Sequence, residues 1–191
     1  FYLSNEKIGS HPYHHAGMIY VQEPAAMAPA ECVEIQPDWK VLDMCAAPGG
    51  KSTHYATLVG KDGLVVANEI NRSRAAVLAD NARKWGLGNM VVTCNDSARL
   101  VEFEGAFDVV AVDAPCSGEG MFRKSEDACE QWSEANVAMC AERQWDILQN
   151  AFKALRAGGV LLYSTCAFNR SEDVDIIRRA CEEFGEELER A

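Results

Sequence analysis

Apolar positions along the chain gather into five short runs rich in valine and leucine: Val41–Cys45, Leu64–Glu69, Met90–Asp96, Phe107–Val112 and Val160–Cys166. Their length suits strands, and their continuous apolar character predicts burial on both faces, as in a parallel sheet. Helical patterns lie between them. Pro24 opens a helix over Ala25–Ile35 that Pro37-Asp38 breaks, since proline fits a first turn but not an interior. A second helix begins at about Thr53. Asn71 caps a third that runs to about Trp85 and stops at Gly86-Leu-Gly88, each residue type suiting its own helix end. A polar helix start covers Ser125–Trp132, a long helix follows from about Glu134 to Leu155, closed by Arg156-Ala-Gly-Gly159, and Ser171-Glu-Asp opens the last, to about Phe184. The charged tail Glu182–Ala191 is expected to fray.

Strand then helix, five times over, predicts an α/β fold with a mostly parallel, doubly wound sheet, because crossover connections are right-handed. A reversal of strand order between the first and fourth strands would open a crevice beside Asp43 and Asp113. Residues 1–23 are irregular and aromatic and read as a lid or docking segment. With the first helix they form an N-terminal segment, 1–40, on a core of residues 41–191, within a single domain overall.

The strand ends carry the chemistry. Asp43, Glu69, Asp96 and Asp113 all stand where a strand stops, and Cys116 and Cys166 follow the fourth and fifth strands. In open α/β sheets ligands bind at this edge. The turn Ala46-Ala-Pro-Gly-Gly-Lys-Ser52 links the first strand to a helix; glycines let a ligand approach the backbone, and helix N–H groups favour negative charge. It is neither G-x-G-x-x-G nor a P-loop, which weakens the dinucleotide and nucleoside triphosphate readings. Glu69 lies twenty positions after Gly49, about the spacing at which an acid reaches ribose hydroxyls. Arg74, Arg83 and Lys84 read as a solvated helix face, and Cys45, Cys94, Cys129 and Cys140 as packing residues. His11, His14 and His15 have no cysteine or acid at ligand spacing, so no metal site is expected.

Composition narrows the classes. A formal net charge of −11 argues against broad, nonspecific nucleic-acid binding by this chain alone. Eight cysteines scattered through core elements, without a C-x-x-C pair, suggest reduced thiols and a cytoplasmic location. No apolar run has the length of a membrane span.

Three stretches together resemble the RNA 5-methylcytosine methyltransferases of the Nop/Sun group: Asp43-Met-Cys-Ala-Ala-Pro-Gly-Gly-Lys-Ser52, Asp113-Ala-Pro-Cys-Ser-Gly-Glu-Gly120 and Tyr163-Ser-Thr-Cys166. Gly17-Met-Ile-Tyr-Val-Gln-Glu-Pro24 and Met121-Phe-Arg-Lys124 are similar to its bacterial RsmF-type branch. The resemblance runs over roughly residues 15–180. It implies a Rossmann-like class I methyltransferase fold, S-adenosylmethionine as cofactor, and RNA, ribosomal RNA first, as partner. Cys45, Ala46, Ala47, Pro48, Gly49, Gly50 and Lys51 would hug the methionine part, Glu69 the ribose hydroxyls and Asp96 the adenine, with Asp113 between methyl donor and target base. Cys166 would be the nucleophile, and Cys116 would help release the product. Lys51, Arg123 and Lys124 would face the substrate.

The chemistry of cytosine gives the thiols a purpose. A thiolate adding at carbon 6 makes carbon 5 enamine-like, so that it can attack a sulfonium methyl. Nearby Lys51, Arg123, Lys124 or Arg170 are candidates to depress the Cys166 pKa. Methyltransferases of this shape close the sheet with a further helix and a hairpin, and this family carries RNA-binding modules; neither is visible, so the chain reads as the catalytic core of a longer protein. The alternatives are methylation of tRNA or another RNA, a DNA-type enzyme with Cys116 as nucleophile, a cofactor-binding scaffold without turnover, and a redox-sensing thiol pair.

Overall fold

The computed structural model describes residues 8–86 and 88–185. The first seven residues of the expected lid, and the expected fraying from residue 186 onward, lie outside the described residues. Five strands form one sheet: β1 Lys40–Asp43, β2 Leu64–Asn68, β3 Met90–Thr93, β4 Phe107–Asp113 and β5 Leu155–Ser164. Their order is β3-β2-β1-β4-β5 and every pairing is parallel. The order reverses between β1 and β4, whose ends carry Asp43 and Asp113, so the crevice opens where a doubly wound sheet requires it.

The helices are α1 Pro12–His15, α2 Pro24–Glu31, α3 Gly50–Leu58, α4 Arg72–Trp85, α5 Glu126–Gln131, α6 Glu134–Ala154 and α7 Val174–Glu183. Alternate residues of β1 and β4 serve opposite layers. Val41, Val109 and Ala111 pack with Ala30 of α2 and with Tyr55 and Ala56 of α3. Leu42, Val110 and Val112 pack with Trp145, Leu148 and Ala151 of α6 and Ile176 and Ala180 of α7. Both faces of β1 and β4 are thus buried, as their continuous apolar runs demand, whereas edge strand β3 leaves Val91 exposed. The N-terminal stretch docks on the edge of the first layer. Tyr20 meets Trp85 edge to face at 6.1 Å, and Gly17, at φ +71°, lies so close to the Lys84 carbonyl that a Cβ there would stand 1.8 Å from its oxygen.

Several boundaries differ from the pattern's reading. β3 and β4 are joined by a 3-10 helix, Ser97–Phe103, rather than an α-helix; the link is short, and the Asp96 carboxylate starts a tight turn by accepting from Ala98 N at 2.9 Å. β5 begins directly after α6, so Arg156–Gly159 is strand rather than a helix-closing turn. The pairing absorbs this with a register shift between Phe107 and Val109, beside the Arg156–Asp108 ion pair at 2.6 Å. Cys94 and Cys129 are exposed, not packed, whereas Cys140 is buried. The strands stop earlier than expected, so Cys45, Glu69, Asp96 and Cys166 all sit in the loops just beyond.

Candidate active site

The turn after β1 is built by backbone geometry. Gly49 caps α3 with φ +112°, and a Cβ there would stand 2.9 Å from Leu78 Cδ1, so only glycine suits the position. The Ala47–Pro48 peptide is cis. Its carbonyls face α4: Arg74 Nη2 donates to Ala47 O at 2.9 Å and Asn81 Nδ2 to Pro48 O at 2.7 Å. Arg74 is exposed, as a solvated helix face requires, but it also pairs with the buried Glu69 at 3.2 Å.

Two cavities open beside this turn. The smaller, about 230 Å³, lies between the turn and the N-terminal stretch, with Asp43, Lys51, Asp113, Tyr20 and Gln22 on its walls. The larger, about 740 Å³, has Glu69, Asp96, Ile70 and Asn95 on one side and α6 on the other. Cys45 lines both. The four strand-end acids thus divide into two pairs over one continuous trough. Asn68, buried, ties its floor together: its amide donates to Met44 O at 3.2 Å and Asn95 O at 3.0 Å, and its carbonyl accepts from Thr93 and Asn95. Arg143, Asp146, Ile147 and Asn150 of α6 complete the larger cavity. The sequence reading did not include them, although their i, i+3, i+4, i+7 spacing marks one helix face.

The acids are held differently. Asp113 accepts from Lys51 Nζ at 2.8 Å and from Ser164 Oγ at 2.9 Å. Asp43 is buried and accepts from Ser52 Oγ at 2.6 Å; burial pushes its carboxyl up to about 7. Glu69 accepts from Asn71 N at 2.9 Å. Its Oε2 lies within ion-pair reach of Arg74 but out of line for a hydrogen bond, and so lacks a partner, as does Asp43 Oδ1. A buried carboxylate oxygen without a donor is costly. Both acids line the trough, and a ligand with hydroxyl and ammonium groups, such as S-adenosylmethionine, would supply donors there.

The two thiols meet. Cys116 Sγ and Cys166 Sγ are 3.1 Å apart, in loops that continue the neighbouring strands β4 and β5. Cys166 is exposed and Cys116 half-buried. Sharing one hydrogen bond splits their ionisation. Cys116 comes down to about 7, chiefly through the hydrogen bond with Cys166 and against the effect of burial. Cys166 is pushed well up, first by that same hydrogen bond, then by burial and by the charges on Cys116 and Asp113. Lys51, Arg123, Lys124 and Arg170 are not among these causes. Lys51 is engaged by Asp113, Lys124 by Glu23 at 2.7 Å and Arg170 by Asp175 at 3.2 Å. Arg123 lines a separate groove with Phe122, Trp132 and Phe168.

A sequence profile described as "16S rRNA methyltransferase RsmB/F" matches residues 30–187. The chain belongs to the RsmB/F methyltransferase family. Among curated relatives, the protein named ribosomal RNA small subunit methyltransferase F of Aeromonas salmonicida is 38% identical over 186 residues, 95% of this chain and 39% of the relative. The protein of that name from Aliivibrio fischeri is 39% identical, over 94% of this chain and 39% of its own length. The chain spans about two fifths of the relatives it matches. Of solved structures, PH0851 superposes with a TM-score of 0.90 at 28% identity, covering 95% of this chain and 41% of that one. NSun6 from Pyrococcus horikoshii with SFG gives 0.83 at 27%, covering 93% and 46%.

This RsmB/F-family chain holds its thiol loops with a residue the sequence reading passed over. Glu172 is fully buried beneath them. Its carboxylate accepts from Ser117 N at 2.9 Å, Gln144 Nε2 at 2.7 Å and Asn169 Nδ2 at 2.7 Å, and also from Ser117 Oγ. Gln144 in turn donates to Pro115 O at 3.1 Å, and Tyr163 Oη donates to Gln144 Oε1 at 3.1 Å. The residue after Cys116 and the turn after Cys166 are therefore bound to one carboxylate, and the residue before Cys116 is tied to it through Gln144. No local pattern marks this, since Ser117 and Glu172 are 55 positions apart.

Proposed function

We propose that this chain is a catalytic core that transfers a methyl group from S-adenosylmethionine to carbon 5 of a cytosine in RNA, with small-subunit ribosomal RNA as the first candidate. One observation carries the reading: two free thiols 3.1 Å apart at the mouth of the sheet, beside Asp113 and its Lys51 partner. Family membership and the names of the relatives support the ribosomal substrate. When bound, S-adenosylmethionine supplies an electrophilic methyl group. Cys45 to Lys51 with Asp43 would cradle its amino-acid end, Glu69 its ribose hydroxyls and Asp96 its adenine. Cys166, the more exposed thiol, adds as a thiolate to carbon 6 of the cytosine, its proton having passed to solvent. Asp113 stabilises the adduct at the ring nitrogen or amino group. After methyl transfer the carbon 5 proton leaves to a base and the Cys166–carbon 6 bond breaks, Cys116 assisting the release.

One rival is favoured by the hydrogen bond from Cys166, which lowers the pKa of the Cys116 thiol. In that reading Cys116 attacks and Cys166 assists. A denaturing gel of the full-length protein with unmodified 16S RNA separates the two. Cys166→Ser should abolish methylation and leave no adduct, since a hydroxyl near neutral pH is a far weaker nucleophile than a thiolate. Cys116→Ser should accumulate protein bonded to methylated RNA. The reverse pattern hands the attack to Cys116.

A further inference from the structure

We propose that the groove beside Cys166, walled by Phe122, Trp132 and Phe168, is a stacking site for an unpaired nucleobase next to the target cytosine, with Arg123 at that nucleotide's phosphate. The inference rests on the reading of RNA as substrate and adds where the neighbouring nucleotide goes.

The groove has a volume of about 500 Å³ and is lined by Glu119, Gly120, Phe122, Arg123, Trp132 and Phe168. Single exposed apolar residues need no explanation. Here three aromatic side chains face one concavity, and Phe168, 80% exposed, stands two positions beyond Cys166. The walls are built rather than incidental. One Glu119 carboxylate accepts from Trp132 Nε1 at 3.2 Å, from Asn169 N at 2.9 Å and from Phe168 N. The indole of one wall and the backbone of another are thereby fastened to the same anchor. The floor is fastened to the candidate active site. Gly120 N donates to Cys166 O at 2.7 Å, and a Cβ at Gly120 would stand 2.7 Å from that oxygen, so the backbones touch. The groove therefore adjoins the backbone that carries Cys166.

The chemistry of the walls points to a base. Aromatic faces stack on any nucleobase, which is how proteins hold single-stranded nucleic acid without reading its sequence. Arg123 supplies the positive charge that a phosphate requires on a chain of formal net charge −11. Cytosine has to leave any helix to reach a thiol, and the strand on either side is then unstacked and in need of a new partner.

The test is methylation kinetics of the full-length protein on unmodified 16S RNA. Phe168→Ala, on an exposed ring whose loss spares the core, should raise the KM for RNA by about 5- to 150-fold, with the loss in KM rather than kcat. Phe168→Trp should restore it, and Phe122→Ala should show a smaller loss of the same kind. Arg123→Gln should lower the slope of log affinity against log salt by about one contact. S-adenosylmethionine affinity should be unchanged in all of them. Wild-type KM in both Phe168→Ala and Phe122→Ala, or a Phe168→Ala loss that Trp fails to rescue, would overturn the inference while leaving RNA methylation intact. Failure of the wild-type protein itself to methylate any RNA would remove the functional reading, and the groove's ligand with it.

Discussion

Asp43 Oδ1 and Glu69 Oε2 are buried oxygens without a hydrogen bond among the described residues, the second within 3.2 Å of Arg74 Nη1, and both lie at the head of the sheet. For Asp43 the physical consequence is a stability that depends on pH. Burial, and secondarily the Asp113 charge, raise its pKa from 3.8 to about 7, against the pull of Ser52 and Lys51. A carboxyl raised in the folded state keeps its proton longer folded than unfolded. Its contribution to stability is fully present below about pH 4 and is lost as pH rises through about 7. Asp43→Asn keeps an acceptor for Ser52 and removes the titration. Urea melts should show wild-type stability falling across that window and the variant flat; parallel curves would mean that Asp43 does not titrate there. For Glu69 the consequence is affinity. Glu69→Ala should weaken S-adenosylmethionine binding by about 1–3 kcal/mol, and calorimetry giving equal affinities would remove Glu69 from the site.

The thiol loops are positioned by what lies beneath them more than by their own turns. β4 and β5 pair as far as Asp113 and Ser164; beyond that point the ladder is replaced by Glu172 and its donors. Glu172→Ala would strand Ser117, Gln144 and Asn169 groups in a dry site, at about 1–3 kcal/mol for each donor left unpaired. The urea midpoint should fall accordingly, and a mild oxidant should join Cys116 to Cys166 more slowly than in the wild type, because the two loops are no longer tied. An unchanged midpoint together with an unchanged oxidation rate would show that the strand ends alone hold the pair.

Among the described residues β5 is an edge strand of the sheet. α7 does not cover it; Ile176 and Ala180 bury against Trp145 and Leu148 of α6, and Phe184 stacks on Phe152 at 4.0 Å. Unpaired edges invite pairing with another chain. Expressed as these 191 residues, the protein is expected to self-associate, and light scattering that reports a monodisperse monomer would refute this. No helix among the described residues is long and apolar enough to cross a membrane.

Legibility followed the range of the interaction. Strand identities, the burial of both sheet faces, the glycine turn, the acids and the two thiols were readable in the sequence, because each depends on periodicity or on chemistry within a few residues. The order reversal between β1 and β4 was a conditional expectation, and the sheet order decided it. What only the tertiary structure decided was set by partners far along the chain. Arg74, though exposed, was drawn to the Ala47 carbonyl, 27 positions away. Lys124 was drawn to Glu23, 101 positions away. The two thiols met across 50 positions. Electrostatics and hydrogen bonding act through space, and their strength turns on burial and on ångström-scale distance, neither of which the order of residues states.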